Sequence, residues 1–143
     1  MGKFDKYFLS KAELPPSKQK TADENAGIYK HVAWLDSNRL PGAFYTECVW
    51  YYKPRKGFVG SHTHDFDEII AFFGSDPQNP EDLGGEVELW VGGEQHIITQ
   101  STLVFIPKGV EHCPLHFNRV DRPIFHFTAG TGGKYISSIE KVD

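Results

Sequence analysis

Two residues, Gly92-Gly93, restrict the fold of this chain more than any others. They separate residues 86–91 from residues 94–100, and both flanks alternate apolar with polar side chains. Two such runs joined by Gly-Gly predict a tight β-hairpin, because glycine takes a positive φ without steric penalty. Val87, Leu89 and Val91 fall on one face, and Glu86, Glu88 and Trp90 on the other. The chain is therefore committed to antiparallel sheet with a buried side.

The same grammar recurs. Residues 31–36 and 43–53 read as strands around a Pro41-Gly42 turn, and 60–64, 68–73, 102–106, 112–117 and 124–128 read as further strands. The basic stretch 53–57 reads as a solvated turn, 75–85 as a long loop, and 118–123 as a polar loop. The long loop is a lid, a rim or a plain surface excursion, and it lacks the spacing of an EF-hand. Residues 1–27, with Pro15-Pro16 and few β-branched side chains, read as an N-terminal arm in which Phe4, Tyr7, Phe8 and Leu9 lay a short segment on a neighbouring surface. No amphipathic helix is visible, and the tail from Ala129 fits either a short helix or a strand. About eight short strands with frequent turns predict a closed or sandwiched all-β fold.

Composition bounds the rest. A chain of 143 residues with 39% apolar and 14% aromatic side chains makes one domain with a core of its own. The net charge of −4 argues against nucleic acid as a partner. Two cysteines, Cys48 and Cys113, are too few for a disulfide framework and read as buried free thiols in a reducing compartment. The N-terminus has no apolar signal segment, Lys6 stands where a myristoylation site wants Ser or Thr, and the longest apolar run, 69–73, is far too short for a membrane span. These features predict a soluble cytoplasmic protein.

The chemistry concentrates in residues 57–74. His62 and His64, two apart on an extended chain, point the same way. Glu68 joins them if the chain stays extended, or after a turn at residues 65–67. Two imidazoles and a carboxylate on one side form a facial ligand set for a divalent transition metal, with His112 the best candidate for a fourth ligand.

The segment His62-x-His64-x-x-x-Glu68, followed about forty residues later by Pro107-x-Gly109-x-x-His112, resembles the paired signature motifs of the cupin superfamily. The resemblance covers residues 43–128. It implies a double-stranded β-helix, a jelly-roll barrel with an N-terminal arm, carrying a metal near one mouth on His62, His64, Glu68 and His112. Such a site suits Fe, Mn, Co, Ni, Cu or Zn. The chain departs from the family pattern at four places. Lys56 stands where the first motif opens on glycine, with Gly57 one place along; the closing glycine comes one residue early, at Gly74; Ser101 replaces the second motif's opening glycine; and His116 replaces its closing asparagine.

Two functions follow from the resemblance. The first is a metal-dependent enzyme acting on a small molecule, of the dioxygenase, isomerase, decarboxylase or lyase type. The second is a non-catalytic barrel that binds a small ligand around a structural metal. His116 shares the parity of His112 and is a candidate proton-transfer group, although Pro114 between them can break that parity. Glu47 is the other candidate if it faces inward; the outward reading, a solvated edge residue, is slightly favoured. Asp65 and Asp67 either steer the ligands or are solvated. His31, His96 and His126 default to structural or surface roles, and Cys113 should point away from the site. A homodimer is expected by analogy with many cupins.

Overall fold

The computed structural model describes residues 2–133. A short 3-10 turn at Asp5–Tyr7 precedes one helix, α1 (Pro16–Glu24). Nine strands follow: β1 (Tyr29–Leu35), β2 (Tyr45–Tyr51), β3 (Arg55–Lys56), β4 (Glu68–Phe73), β5 (Asp82–Val91), β6 (Glu94–Gln100), β7 (Thr102–Ile106), β8 (His112–Val120) and β9 (Ile124–Gly130). They form a five-stranded sheet in the order β1-β2-β9-β4-β7 and a four-stranded sheet in the order β3-β8-β5-β6. All pairings are antiparallel.

The hairpin forms where the sequence places it. Val91 pairs with Glu94, and Gly92 and Gly93 have φ of 59° and 78°. Val87 and Leu89 are fully buried. They join Ile70, Phe72, Leu83, Ile98, Ile106, Phe117 and Ile124 in the core between the sheets. Burying each such side chain contributes roughly 1.5–3 kcal/mol, enough in sum to close a domain without crosslinks. Both cysteines are free and half-buried.

Several boundaries differ from the sequence reading, each for a physical reason. Residues 60–64 do not form a strand; they make one isolated bridge, His62 to His112. The basic stretch is not a solvated turn throughout, since Arg55 and Lys56 pair with Phe117 and His116. Strand β5 begins at Asp82, which shortens the long loop, and Leu83 goes into the core. Strand β8 runs through Asn118 to Val120, where the Asn118 amide donates to Glu86 and Glu88 on the neighbouring strand. Most of the tail expectation falls on residues 134–143, outside the described residues; β9 itself reaches Gly130.

Helix α1 is the element the sequence hid. Pro16 opens it, as suits a residue with no amide hydrogen, and its body, Ser-Lys-Gln-Lys-Thr-Ala-Asp-Glu, is rich in helix formers. The Asn25 side chain closes it by donating to the Thr21 carbonyl at 2.8 Å. None of its residues is buried, so no apolar stripe marks it. It is held by Ala22, half-buried against the core, and by Lys18, which pairs with Glu47 at 3.1 Å and lies over the Trp34 ring. Among the described residues no helix is long and apolar enough to cross a membrane.

Two of the displaced motif glycines are explained by close backbone contact. A Cβ on Gly57 would sit 2.0 Å from the Leu115 carbonyl oxygen, and one on Gly74 would sit 1.9 Å from that of Asp82. Ser101 closes the long loop: its hydroxyl accepts from the Gly74 amide at 3.0 Å and donates to the Pro80 carbonyl at 2.7 Å. These two bonds pin the start of the loop to its end.

Candidate metal centre

The two motif segments are stitched together by backbone. His62 and His112 exchange amide-to-carbonyl hydrogen bonds, each 3.0 Å, and the Gly109 amide donates to the His64 carbonyl at 3.0 Å. Gly109 has the positive φ, 83°, that the turn before His112 requires. Asp67 accepts from the Lys108 amide at 2.9 Å, so it anchors that turn. After a bend at residues 65–66 the chain enters β4 at Glu68, which returns the carboxylate to the histidines.

His62, His64 and His112 are buried, and one ring nitrogen from each lies within 4.8 Å of the other two. Their outer nitrogens fix which face is free. His62 Nδ1 lies 2.8 Å from the Gly60 carbonyl, and His112 Nδ1 lies 3.0 Å from the Val110 carbonyl. A carbonyl only accepts, so each Nδ1 carries the hydrogen, and each Nε2 of the neutral ring presents a lone pair. Backbone carbonyls that orient imidazoles in this way are the usual outer partners of metal-ligating histidines. The Phe66 ring stacks on His64, centroids 4.7 Å apart and planes at 11°. Gly130 and Gly132 lie against the two opposite edges of the Phe66 ring, each too close to accept a side chain.

Glu68 completes the cluster. It is 2% exposed, and its Oε1 lies 3.1 Å from His112 Nε2 and 3.5 Å from His64 Nε2. Neither Oε1 nor His112 Nε2 has a partner with hydrogen-bond geometry. At 3.1 Å the repulsion between a carboxylate oxygen and an imidazole lone pair is relieved by a proton on His112 Nε2 or by a cation that both groups share. Burial lowers the basicity of His112, but the Glu68 carboxylate and the Val110 carbonyl outweigh it and raise its pKa. His62 moves the other way: burial lowers its pKa, against the Gly60 carbonyl. The three buried imidazoles could hold a metal ion, and with the neighbouring carboxylate they offer donors that suit a divalent transition metal.

The cluster opens into a cavity of ≈ 500 Å³. Its walls carry Glu47, His31, Arg55, Cys113 and His126, together with Lys18 from α1. Glu47 therefore faces inward, against the outward expectation. The alternation of β2 could not decide this, because its outer face is also apolar, with Trp50 packed on Phe125 at 5.0 Å. Glu47 accepts from His31 Nε2 at 2.6 Å, Lys18 Nζ at 3.1 Å and the Tyr45 hydroxyl at 3.0 Å. Burial pushes its carboxyl up, but Lys18 and His31 overcome this and hold it well below the usual carboxylate range. His31, given only a default role by the sequence, is the main partner that was missed. His126 is buried, donates Nδ1 to the Ala71 carbonyl at 3.0 Å and stacks on Phe72; burial lowers its pKa.

Strand β8 carries an irregularity that redirects two side chains. Leu89 pairs with Leu115 but Val91 pairs with His112, so one extra residue is inserted and the parity expected after His112 is lost. Cys113, at φ 82°, lines the cavity instead of turning away. Burial, with Glu68 nearby, pushes its thiol up to about 12, which keeps it protonated and a poor nucleophile. His116 is not among the cavity residues; its Nδ1 accepts from the Gly57 amide at 3.0 Å.

Known structures share this architecture. A recombinant oxalate oxidase in complex with glycolate matches with a TM-score of 0.55 at 16% identity, over 93% of this chain and 63% of that one. An uncharacterised conserved protein with a double-stranded β-helix domain, from Klebsiella pneumoniae, matches with a TM-score of 0.51 at 14% identity, over 82% of this chain and 91% of that one. The chain has the double-stranded β-helix fold of these proteins. The chain spans less than two thirds of the oxalate oxidase's length, 63%. An RmlC-like cupin from Shewanella frigidimarina is also similar, with a TM-score of 0.43 at 15% identity over 73% of this chain and 75% of that one. No protein-family model matches the sequence, and no curated protein matches it either.

Proposed function

We propose that this protein is a metal-dependent enzyme acting on a small molecule, with His62, His64, Glu68 and His112 as the ligands. The observation that carries the reading is the convergence of three imidazoles within 4.8 Å, two of them aimed by backbone carbonyls, beside a buried carboxylate. When bound, a divalent transition metal supplies Lewis-acid polarisation of a ligand oxygen and, if redox-active, chemistry with O2.

The protein's own contribution to proton transfer is the Glu47–His31 pair. The ionised carboxylate can only accept, so His31 Nε2 carries the hydrogen between them at 2.6 Å. Its Nδ1 is then a base, and it is buried with no hydrogen-bond partner. A carboxylate that orients an imidazole in a cavity is the arrangement of a general base. This pair favours an enzyme over a passive binding barrel. His116 has no such setting and is the weaker candidate.

The reading extends to assembly and compartment. The edge strand β7 exposes Leu103 and Phe105, 61% and 60% accessible, with Ile69 opposite Phe105. An apolar outer face of this kind supports a homodimer. Two free thiols support a reducing compartment such as the cytoplasm.

Elemental analysis of wild type, His62→Ala and His112→Ala tests the ligand set. The expected result is about one metal per wild-type chain and loss of most of it in both variants. Unchanged metal in both would overturn the assignment. Turnover of a panel of small carbonyl compounds and organic acids by each metal form, under air and under nitrogen, then separates enzyme from binding barrel. Ligand binding without turnover in every form favours the barrel.

A further inference from the structure

The charges lining the cavity do not balance one another locally. Glu47 is matched by Lys18 and also accepts from the His31 ring. Glu68 faces His64 and His112. Arg55 remains. Its register places it inside: it pairs with Phe117, which is 3% exposed and core-facing, and directly paired residues share a face. Among the described residues no carboxylate lies within 4.0 Å of its guanidinium.

The guanidinium is nonetheless held. Its central carbon lies 4.9 Å from the Tyr29 ring centre and 5.3 Å from that of Phe58. Rings contacting a guanidinium restrain its plane; one N–H donates to the Tyr51 hydroxyl, and the others are left for a ligand. Phe58 is 74% exposed, a large apolar ring next to a cation at the cavity wall. Around it the lining is mainly hydrocarbon, with Val49, Tyr51, Ile70 and Leu115. Burial pushes the Tyr51 phenol up to about 12, against the pull of Arg55, so it stays a neutral hydroxyl.

We propose that Arg55 is a binding residue for the anionic group of the ligand, and that the ligand is a small carboxylic acid with an apolar body. An arginine with no protein carboxylate, stacked on aromatics in a mostly apolar cavity, matches a planar carboxylate through paired N–H donors. The volume, ≈ 500 Å³, suits a compact organic acid. A phosphate ester offers similar oxygens, so the two sources need separating. The proposal concerns the same cavity as the metal-dependent reading but does not require the metal.

The experiment is calorimetric titration of the full chain, metal-loaded and chelator-treated, with benzoate, benzamide and phenyl phosphate, and with hexanoate and hexanamide. Wild type and Arg55→Gln are compared, with metal content measured on every sample. The expected result is that each acid binds about tenfold or more tightly than its amide. Arg55→Gln should remove that preference while metal content stays unchanged, and phenyl phosphate should bind more weakly than benzoate. The preference should persist in chelated protein. A preference that survives Arg55→Gln but vanishes on chelation would assign the carboxylate to the cation and overturn the role of Arg55, leaving the metal reading intact. Equal binding of acids and amides, no binding of either, or tighter binding of phenyl phosphate would also overturn the proposal. A preference that survives chelation in a protein that holds no metal would support Arg55 while removing the metal reading.

Discussion

Gly130→Ala tests how the histidines are held, without touching any of them. The new methyl group would lie 2.3 Å from Phe66 Cε1 and 2.7 Å from Cδ1. Carbon atoms rest at about 3.5 Å or more, so the ring must retreat by about 1.2 Å. Phe66 is buried, with Gly132 at 2.6 Å blocking the opposite edge and His64 stacked on its face at 4.7 Å, so a shifted ring disturbs His64. Gly130 lies in β9 without a positive φ, which makes the effect steric and not conformational. Overpacking of this kind costs about 1–3 kcal/mol of stability. Displacing a ligand through its supporting contact should weaken metal binding about 10–100-fold. Metal titration of chelated protein, together with urea unfolding, measures both. Phe66→Leu in the same chain should recover part of each loss, with a coupling of about 0.5–3 kcal/mol. Wild-type affinity and stability in Gly130→Ala, or no rescue by Phe66→Leu, would refute the claim that this ring positions His64.

Other expectations follow from the same geometry. Glu47→Gln keeps the shape but leaves Lys18 and His31 without an anion, and should cost about 1–3 kcal/mol in urea unfolding; a change under about 0.5 kcal/mol would contradict the network. Chelated protein should lose stability as pH falls. His126 is held below its ordinary 6.5 by burial, so the unfolded chain takes up that proton first and stability declines below about pH 6.5. Glu47 is held below its ordinary 4.5, so its contribution is present above that pH and is lost as acid protonates it. His62 adds to the decline and His112 opposes it. A stability curve flat from about pH 7 to about pH 2 would contradict both directions. Light scattering should give twice the chain mass of 16.2 kDa, and Phe105→Lys should shift it toward the monomer; a wild-type monomer would end the dimer proposal.

Much of the site was readable in sequence because its signals are local. The pair His62 and His64, the carboxylate Glu68 and the Pro107–Gly109 turn before His112 each specify residue type and spacing, and the hairpin at Gly92-Gly93 specifies its own backbone. What stayed hidden depends on tertiary context. Strand β2 is apolar on both faces, so alternation could not turn Glu47 inward. The extra residue in β8 shifted the parity of Cys113, and no sequence period records an insertion of that kind. Helix α1 buries none of its residues, so its role, delivering Lys18 to Glu47, left no stripe. Arg55 lay in a stretch whose charge and proline read as solvent-facing, and only pairing with Phe117 turns it into the cavity.

The central claim is that side chains from two separated segments grip one cation. Anomalous diffraction from crystals of metal-loaded protein, recorded at the metal's absorption edge, tests it most directly. The account predicts a single strong peak within about 2.0–2.2 Å of the inward nitrogens of His62, His64 and His112 and of a Glu68 oxygen. A loaded crystal with no peak among those residues, or with its peak on other side chains, would contradict it.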